Sequence, residues 1–307
     1  RLDGTVPSEG ELTPEVIRRI LADLSPAALP RPETDHWLRD VGAVVTDLAL
    51  PVRRPTLCPG CGHRAAFYAI RKALPHAIYT SDIGCYTLGI NLRAVDTVLD
   101  MGAGLTLATG FYHAYKQDGN DQAIVATMGD STFFHSGIPA LVDAVTSDAR
   151  FVFVLLDNAV TAMTGMQPTP ALGILADGTP GKAVDLEPLI RGCGVSFVRT
   201  IDPQRVGDMI DLLQEARAYS KGPDGGVAVI IARRPCLVAY PEARPASKGT
   251  IVIGEKCNGC RFCVERLECP ALVYDQTANV VSIDRARCVD CGVCLDVCPE
   301  DAIAWEE

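Results

Sequence analysis

The chain lacks any uncharged apolar run of membrane-spanning length, and nothing in it resembles a secretory leader. A soluble protein of the reducing cytoplasm is therefore the expectation, with no membrane partner. Basic residues are scarce: 28 Lys and Arg stand against 38 Asp and Glu, a formal net charge of −10. That balance argues against a nucleic-acid partner, whose phosphates call for a cationic surface. Apolar residues are not lacking, at 48% of the 307, which is enough for a sizeable core. Cysteine is abundant and unevenly spread. Eight of the thirteen lie between Cys257 and Cys298.

Those eight form two runs, Cys257-x2-Cys260-x2-Cys263-x5-Cys269-Pro270 and Cys288-x2-Cys291-x2-Cys294-x3-Cys298-Pro299. The second has the spacing of the bacterial ferredoxin run, in which three close thiolates hold one [4Fe–4S] cluster and the fourth reaches to the other. The first is the same run with two extra residues before its last cysteine. Zinc sites favour paired Cys-x2-Cys knuckles farther apart, and a disulfide framework belongs to secreted chains. Cross-ligation assigns Cys257, Cys260, Cys263 and Cys298 to cluster one, and Cys288, Cys291, Cys294 and Cys269 to cluster two. The prolines suit ligands that must turn away from their own helix. The tail also carries about half of the net charge, with six Lys and Arg against eleven Asp and Glu from Lys248 to Glu307.

Three regions are expected: a lead-in or linker over 1–45, an α/β domain over 46–246, and a small α+β ferredoxin-like domain over 247–307. The lead-in contains Pro7, Pro14, Pro26, Pro30 and Pro32, and one helix over Thr13–Leu24 opened by Thr13-Pro14-Glu15. In the middle, short apolar runs (Ala77–Thr80, Ala123–Met128, Phe151–Leu156, Val195–Arg199, Val227–Ala232) alternate with helix-period segments such as Ser136–Thr146 and Gln204–Tyr219. Such alternation implies a parallel sheet with helices on both faces. A proline-rich linker, from Arg233 through Pro235, Pro241 and Pro245, leads into the tail.

Two of the apolar runs end in polar residues, one in Gly129-Asp130-Ser131 and the other in Asp157-Asn158. Ligands of open parallel sheets sit beyond the carboxyl ends of strands. There Asp130 and Asn158 would both offer oxygen to Mg²⁺, with the helix from Ser136 aimed nearby. Taken alone, Gly-Asp after a strand is equally an ordinary turn. More of the sequence joins it. Gly129-Asp130-Ser131 followed by Asn158 resembles the thiamine diphosphate signature. The segment Asp157 to Gln167, the motif Cys58-Pro59-Gly60-Cys61-Gly62-His63 and the motif Asp82-Ile83-Gly84-Cys85 resemble the 2-oxoacid:ferredoxin oxidoreductases. Gly129-Asp130-Ser131-Thr132-Phe133-Phe134-His135-Ser136-Gly137, followed by a ferredoxin tail, is most similar to the large subunit of the indolepyruvate (arylpyruvate) type. Ser131 stands where the general signature has glycine, and Met166 where many relatives carry histidine.

The resemblance, which covers residues 50–307, implies a cofactor site at Gly129, Asp130, Ser131, Asn158, Thr164 and Gly165. Asp130 and Asn158 would bind Mg²⁺ by side chains and Val160 by its carbonyl. It also implies a third [4Fe–4S] cluster on Cys58, Cys61, Cys85 and Cys236, although buried free cysteines would be the plain alternative. Cys193 reads as a core thiol, and His63 as either a packing residue or a cofactor contact. The implied reaction is oxidative decarboxylation of an arylpyruvate with CoA to the acyl-CoA and CO₂, with electrons passing from thiamine through the clusters to ferredoxin. Pyruvate, 2-oxoglutarate and phenylglyoxylate are alternative substrates, and a non-catalytic electron-transfer subunit is the alternative role. Only about 45 residues precede Leu48, too few for a pyrimidine-binding domain. That domain, with its activating glutamate, is expected on a partner polypeptide, together with a small oxidoreductase subunit.

Overall fold

The computed structural model describes residues 6–7, 11–25, 35–48, 54–244 and 248–306. Pro26, Pro30, Pro32 and Pro245 lie outside them. The chain divides into two compact units, Arg1–Arg54 and Pro55–Glu307. The first holds helix α1 (Pro14–Leu24) and a helix that the proline-rich sequence did not announce, α2 (Asp35–Asp47). Proline at the first helical position suits α1, since its missing N–H would have no partner there. The Thr13 hydroxyl caps the same end, accepting from the Val16 amide at 3.4 Å. Among the described residues, no helix is long and apolar enough to cross a membrane.

The second unit is built on a six-stranded parallel sheet. Its strands are β1 (Ile78–Ser81), β2 (Thr97–Val98), β3 (Ile124–Gly129), β4 (Val152–Asp157), β5 (Phe197–Ile201) and β6 (Ala228–Arg233), in the order β2-β1-β3-β4-β6-β5. Each of the five expected apolar runs forms a strand, set one or two residues toward the C-terminus. The alternation of side chains splits β4 between two cores. Val152, Val154 and Leu156 join the face covered by α3 (Gly62–Ala73) and by α7, named below. Phe153 and Leu155 join the face covered by α4 (Ala103–Gln117), α5 (Ile138–Thr146) and α6 (Leu186–Gly192). Fully burying one such side chain is worth about 1.5–3 kcal/mol.

Helix α7 (Val206–Lys221) packs beside α3 and places Val206, Met209 and Leu213 in the core, as its spacing predicts. The helix expected from Ser136 begins earlier. The backbone turns helical at Asp130, directly after β3, and reaches α5 through a wider π-type turn over Phe133–Gly137. Pro139 has no N–H to offer an i−4 carbonyl, and the wider turn absorbs that gap.

The tail consists of two antiparallel pairs and one short helix. Strand β7 (Thr250–Ile253) pairs with β10 (Ile303–Glu306), and β8 (Leu272–Asp275) pairs with β9 (Val280–Ile283); α8 (Phe262–Leu267) lies between them in sequence. Ile251, Leu267, Leu272, Val281 and Ile303 merge with the core on the α3 side of the sheet.

Candidate functional site

Strands β3 and β4 end side by side, with Gly129 opposite Leu156. A Cβ at Gly129 would lie 2.6 Å from the Tyr86 ring, so only glycine lets the strand pass there. Asp130 follows at once and is 2% exposed. Its Oδ1 accepts from the Ser131 amide at 2.9 Å, whereas its buried Oδ2 has no hydrogen-bond partner among the described residues. Asp157 lies close by, accepting from Arg233 Nε at 2.6 Å. Burial, and then the charge of Asp157, pushes the Asp130 carboxyl well above the usual carboxylate range. Two buried carboxylates, one with an unpaired oxygen, fit a divalent cation, which would offset both the desolvation and the repulsion.

Asn158 continues from β4, and its Oδ1 accepts from the Val160 amide at 3.2 Å. Thr161 Oγ1 and Ser131 Oγ lie 2.8 Å apart, which ties the loop after β4 to the helix start after β3. The pocket beyond these strand ends is lined by Gly129, Asp130, Ser131, Asn158, Val160 and Thr164. Gly165 is not in its wall; it turns the chain at φ +126° behind Thr164.

The same pocket is lined by Tyr86, Thr132 and His63, with Asp82 behind Tyr86 rather than in the wall. Asp82, fully buried, accepts through Oδ1 from the Tyr86 hydroxyl and through Oδ2 from the amides of Gly102 and Gly104 at 3.0 and 3.4 Å. The Tyr86 oxygen also lies 2.9 Å from Thr132 Oγ1. Burial raises Asp82 to about 6. His63 packs edge-on to Tyr86, and its Nε2 lies 3.4 Å from Asn158 Nδ2. Burial lowers His63 to about 4, so the ring is neutral at pH 7. The sequence had offered His63 as either a packing residue or a cofactor contact, and Asp82 as part of the Asp82-Ile83-Gly84-Cys85 motif. Tyr86 gave no such signal.

Each expected cysteine quartet lines one cavity. Cys58, Cys61, Cys85 and Cys236 share one, Cys269, Cys288, Cys291 and Cys294 a second, and Cys257, Cys260, Cys263 and Cys298 a third. Backbone bonds hold the members in place: the Cys61 amide donates to the Cys58 carbonyl at 3.3 Å, and the Cys236 amide to the Asn158 carbonyl at 3.0 Å. Burial pushes the Cys61 thiol up to about 12 and Cys263 to about 11, so as free thiols they would stay protonated. Among the described residues, no three His, Cys, Asp or Glu side chains gather closely enough for a single ion. Four thiols spread around a cavity suit a polynuclear group instead. Cys193 takes no part and packs at the edge of the α4–α6 core.

The cavities adjoin. Cys85, His63 and Asn158 belong to the walls of both the strand-end pocket and the first cysteine cavity. Cys61, Pro59 and Val289 belong to the walls of both the first and the second. At Gly60, with φ +73°, a Cβ would meet Val289 at 2.5 Å, so the Cys58–Cys61 loop touches the tail closely.

The family described as thiamine pyrophosphate enzyme, C-terminal TPP binding domain, matches residues 82–232, and a 4Fe-4S binding domain matches residues 281–304. Indolepyruvate oxidoreductase subunit IorA of Archaeoglobus fulgidus is 47% identical over 261 residues, covering 82% of this chain and 40% of that protein. Its counterpart in Methanothermobacter thermautotrophicus is 38% identical over 315 residues, covering 100% of this chain and 47% of that one. Among solved structures, a 2-oxoglutarate:ferredoxin oxidoreductase from Magnetococcus marinus superposes loosely, with TM-score 0.49 and 21% identity over 59% of this chain and 64% of that one. The chain spans less than half the length of the IorA relatives named here. It belongs to their family, the thiamine pyrophosphate-binding, iron–sulfur oxidoreductase subunits of the IorA type.

Proposed function

We propose that this chain supplies the diphosphate-binding half of the thiamine site, and the electron exit, of an oxidoreductase that decarboxylates an arylpyruvate of the indolepyruvate type. CoA would take the acyl group and ferredoxin the electrons. One observation carries the reading: the strand-end pocket and the Cys58/Cys61/Cys85/Cys236 cavity have a common wall, so single-electron acceptors would stand beside the cofactor. When bound, thiamine diphosphate supplies the electron sink that makes decarboxylation of a 2-oxo acid possible. The four thiolates of each quartet would hold a [4Fe–4S] cluster, which accepts one electron at a time and so favours oxidative over simple decarboxylation.

The chain's own residues would position and exclude. Asp130, Asn158 and the Val160 carbonyl would hold Mg²⁺ against the diphosphate, with Gly129, Ser131 and Thr164 around it. The Asp82–Tyr86–Thr132 network fixes the pocket lining around Tyr86 and Thr132, and neutral His63 keeps it uncharged between pocket and cysteines. Met101 and Met163 line the pocket at 51% and 52% exposure. Apolar groups left open at a cofactor site fit a partner that covers them. We assign that cover to a polypeptide carrying the pyrimidine-binding domain and its activating glutamate, with a small oxidoreductase subunit completing the enzyme.

The test is turnover by the anaerobic complex on a panel of 2-oxo acids, with viologen as acceptor. Arylpyruvates should give the highest kcat/KM, with strict dependence on thiamine diphosphate and CoA. Preference for pyruvate or 2-oxoglutarate would reassign the substrate, and viologen reduction independent of any 2-oxo acid would leave only an electron carrier.

A further inference from the structure

Arg64 is a cation placed where a cation is hard to keep. It sits in the first turn of α3 at 2% exposure. Its guanidinium donates to the carbonyls of Leu57, of Cys58 at 3.5 Å, of Leu267 at 2.7 Å and of Glu268, and to Thr56 Oγ1 at 3.3 Å. All five acceptors are neutral oxygens. They belong to two segments about 200 residues apart in sequence. Thr56 to Cys58 lead into the Cys58–Cys61 loop, and Leu267 and Glu268 directly precede Cys269. Arg64 also lines the Cys269/Cys288/Cys291/Cys294 cavity, whose wall includes Cys61. A buried charge is costly unless anions face it. The groups that face Arg64 electrostatically are Cys269, Cys61, Glu268 and Cys58. Three of the four are ligands in the reading above.

We propose that Arg64 is a positioning residue for electron flow, a fixed buried cation shared by the proximal quartet and the Cys269 quartet. It favours the reduced form of both and clamps their ligand loops together. The proposal rests on the cluster reading of the preceding section. A cluster on four thiolates is net anionic and gains a further negative charge on reduction, so a nearby immobile cation stabilises the reduced state more than the oxidised one. Guanidinium suits the role better than ammonium, because its planar fork bonds several carbonyls at once and keeps its charge when buried. The Cys257/Cys260/Cys263/Cys298 cavity does not include Arg64 and serves as an internal control.

The experiment is an EPR-monitored redox titration of the anaerobic, iron-loaded complex, comparing the unaltered protein with Arg64→Gln and Arg64→Lys. With Arg64→Gln, the reduced-to-oxidised ratio of the proximal and Cys269 clusters at a fixed solution potential should fall about tenfold, equivalent to 59 mV for one electron. The Cys257 cluster should not move. Arg64→Lys should restore most of that ratio while losing amide-exchange protection around residues 267–269. Unchanged potentials in Arg64→Gln with full iron content would overturn the proposal and leave the cluster reading intact. Absence of any proximal-cluster signal in the unaltered protein would overturn both. If Arg64→Gln does not retain iron, Arg64→Lys decides: near-normal potentials support the shared cation, and equal displacement of all three clusters refutes it.

Discussion

The sheet and the cysteine-rich tail arrive at ordered sites by opposite routes. In the sheet, β4 is buried along its whole length, and the pocket beyond it gathers His63, Cys85, Asp130 and Asn158 from four separate segments. Packing makes that geometry, with or without a ligand. In the tail, the strands are four residues long and form two separate two-stranded ladders. Isolated two-stranded ladders are marginal, and a segment of this size holds little core of its own. With clusters on its thiols as proposed, the tail would gain what its shared core does not supply, which couples its folding to cluster binding. One region is a frame that receives a cofactor, the other a fold completed by one.

Removing the iron is the strongest way to break this contrast. After anaerobic chelation, amide exchange should become fast across residues 250–306, while β3, β4 and β6 keep their protection. Uniform loss, or none, would make the two regions alike. Next in size is Phe153→Ala, which empties a fully buried site between β4 and the α4–α6 layer. It should cost about 3–5 kcal/mol in chemical denaturation of the sheet. Val281→Ala in the iron-loaded tail should cost less than half of that. Equal losses would show that the tail relies on its apolar core as heavily as the sheet does.

Asp130→Asn sharpens the comparison at the site itself. If Asp130 holds Mg²⁺ as proposed, the change should weaken Mg²⁺–thiamine diphosphate binding by at least the roughly 10–100-fold typical of outer-shell changes. Calorimetry on the complex would measure this, and the visible absorbance of the tail should remain. The smallest effect concerns Asp82. Burial raises its pKa from 3.8 to about 6, so between those values the folded state holds a proton that the unfolded state has released. Its contribution to stability therefore falls as pH rises from 4 to 6 and is level above that, by roughly 1–3 kcal/mol in all. Asp82→Asn should lack this slope, so the stability difference between the two proteins should carry it; a difference that stays constant from pH 4 to 6 would place the titration elsewhere.

The same contrast governs what could be read in advance. The five apolar runs announce their strands because a sheet covered on both faces needs continuous hydrophobic segments. Strand β2 escaped notice, since two half-buried residues, Thr97 and Val98, leave no pattern. The helix start at Asp130 was hidden behind Pro139, which resembles a first-turn proline. The two tail quartets are written in local spacing and the first came only from the resemblance, but the walls common to their cavities depend on how the tail meets α3, which no local pattern records. Tyr86 was unreadable for a similar reason: its partners Asp82, Thr132 and Gly129 converge on it only once β1 and β3 are paired.

The strand order has a consequence for how the protein is made. The last strand of this sheet to be synthesised, β6, lies between β4 and β5. A nascent chain that has reached β5 therefore has an unpaired, largely apolar edge on β4 and no partner for the new strand. Such an edge invites pairing with other chains. Closure waits for Ala228–Arg233, and the residues that follow at once continue along β4, with the Arg234 amide bonding the Asp157 carbonyl at 2.9 Å and the Cys236 amide bonding that of Asn158. The segment that seals the sheet thus delivers Cys236 to its three companions in the same movement. If that quartet holds a cluster as proposed, its fourth ligand arrives only as the sheet closes.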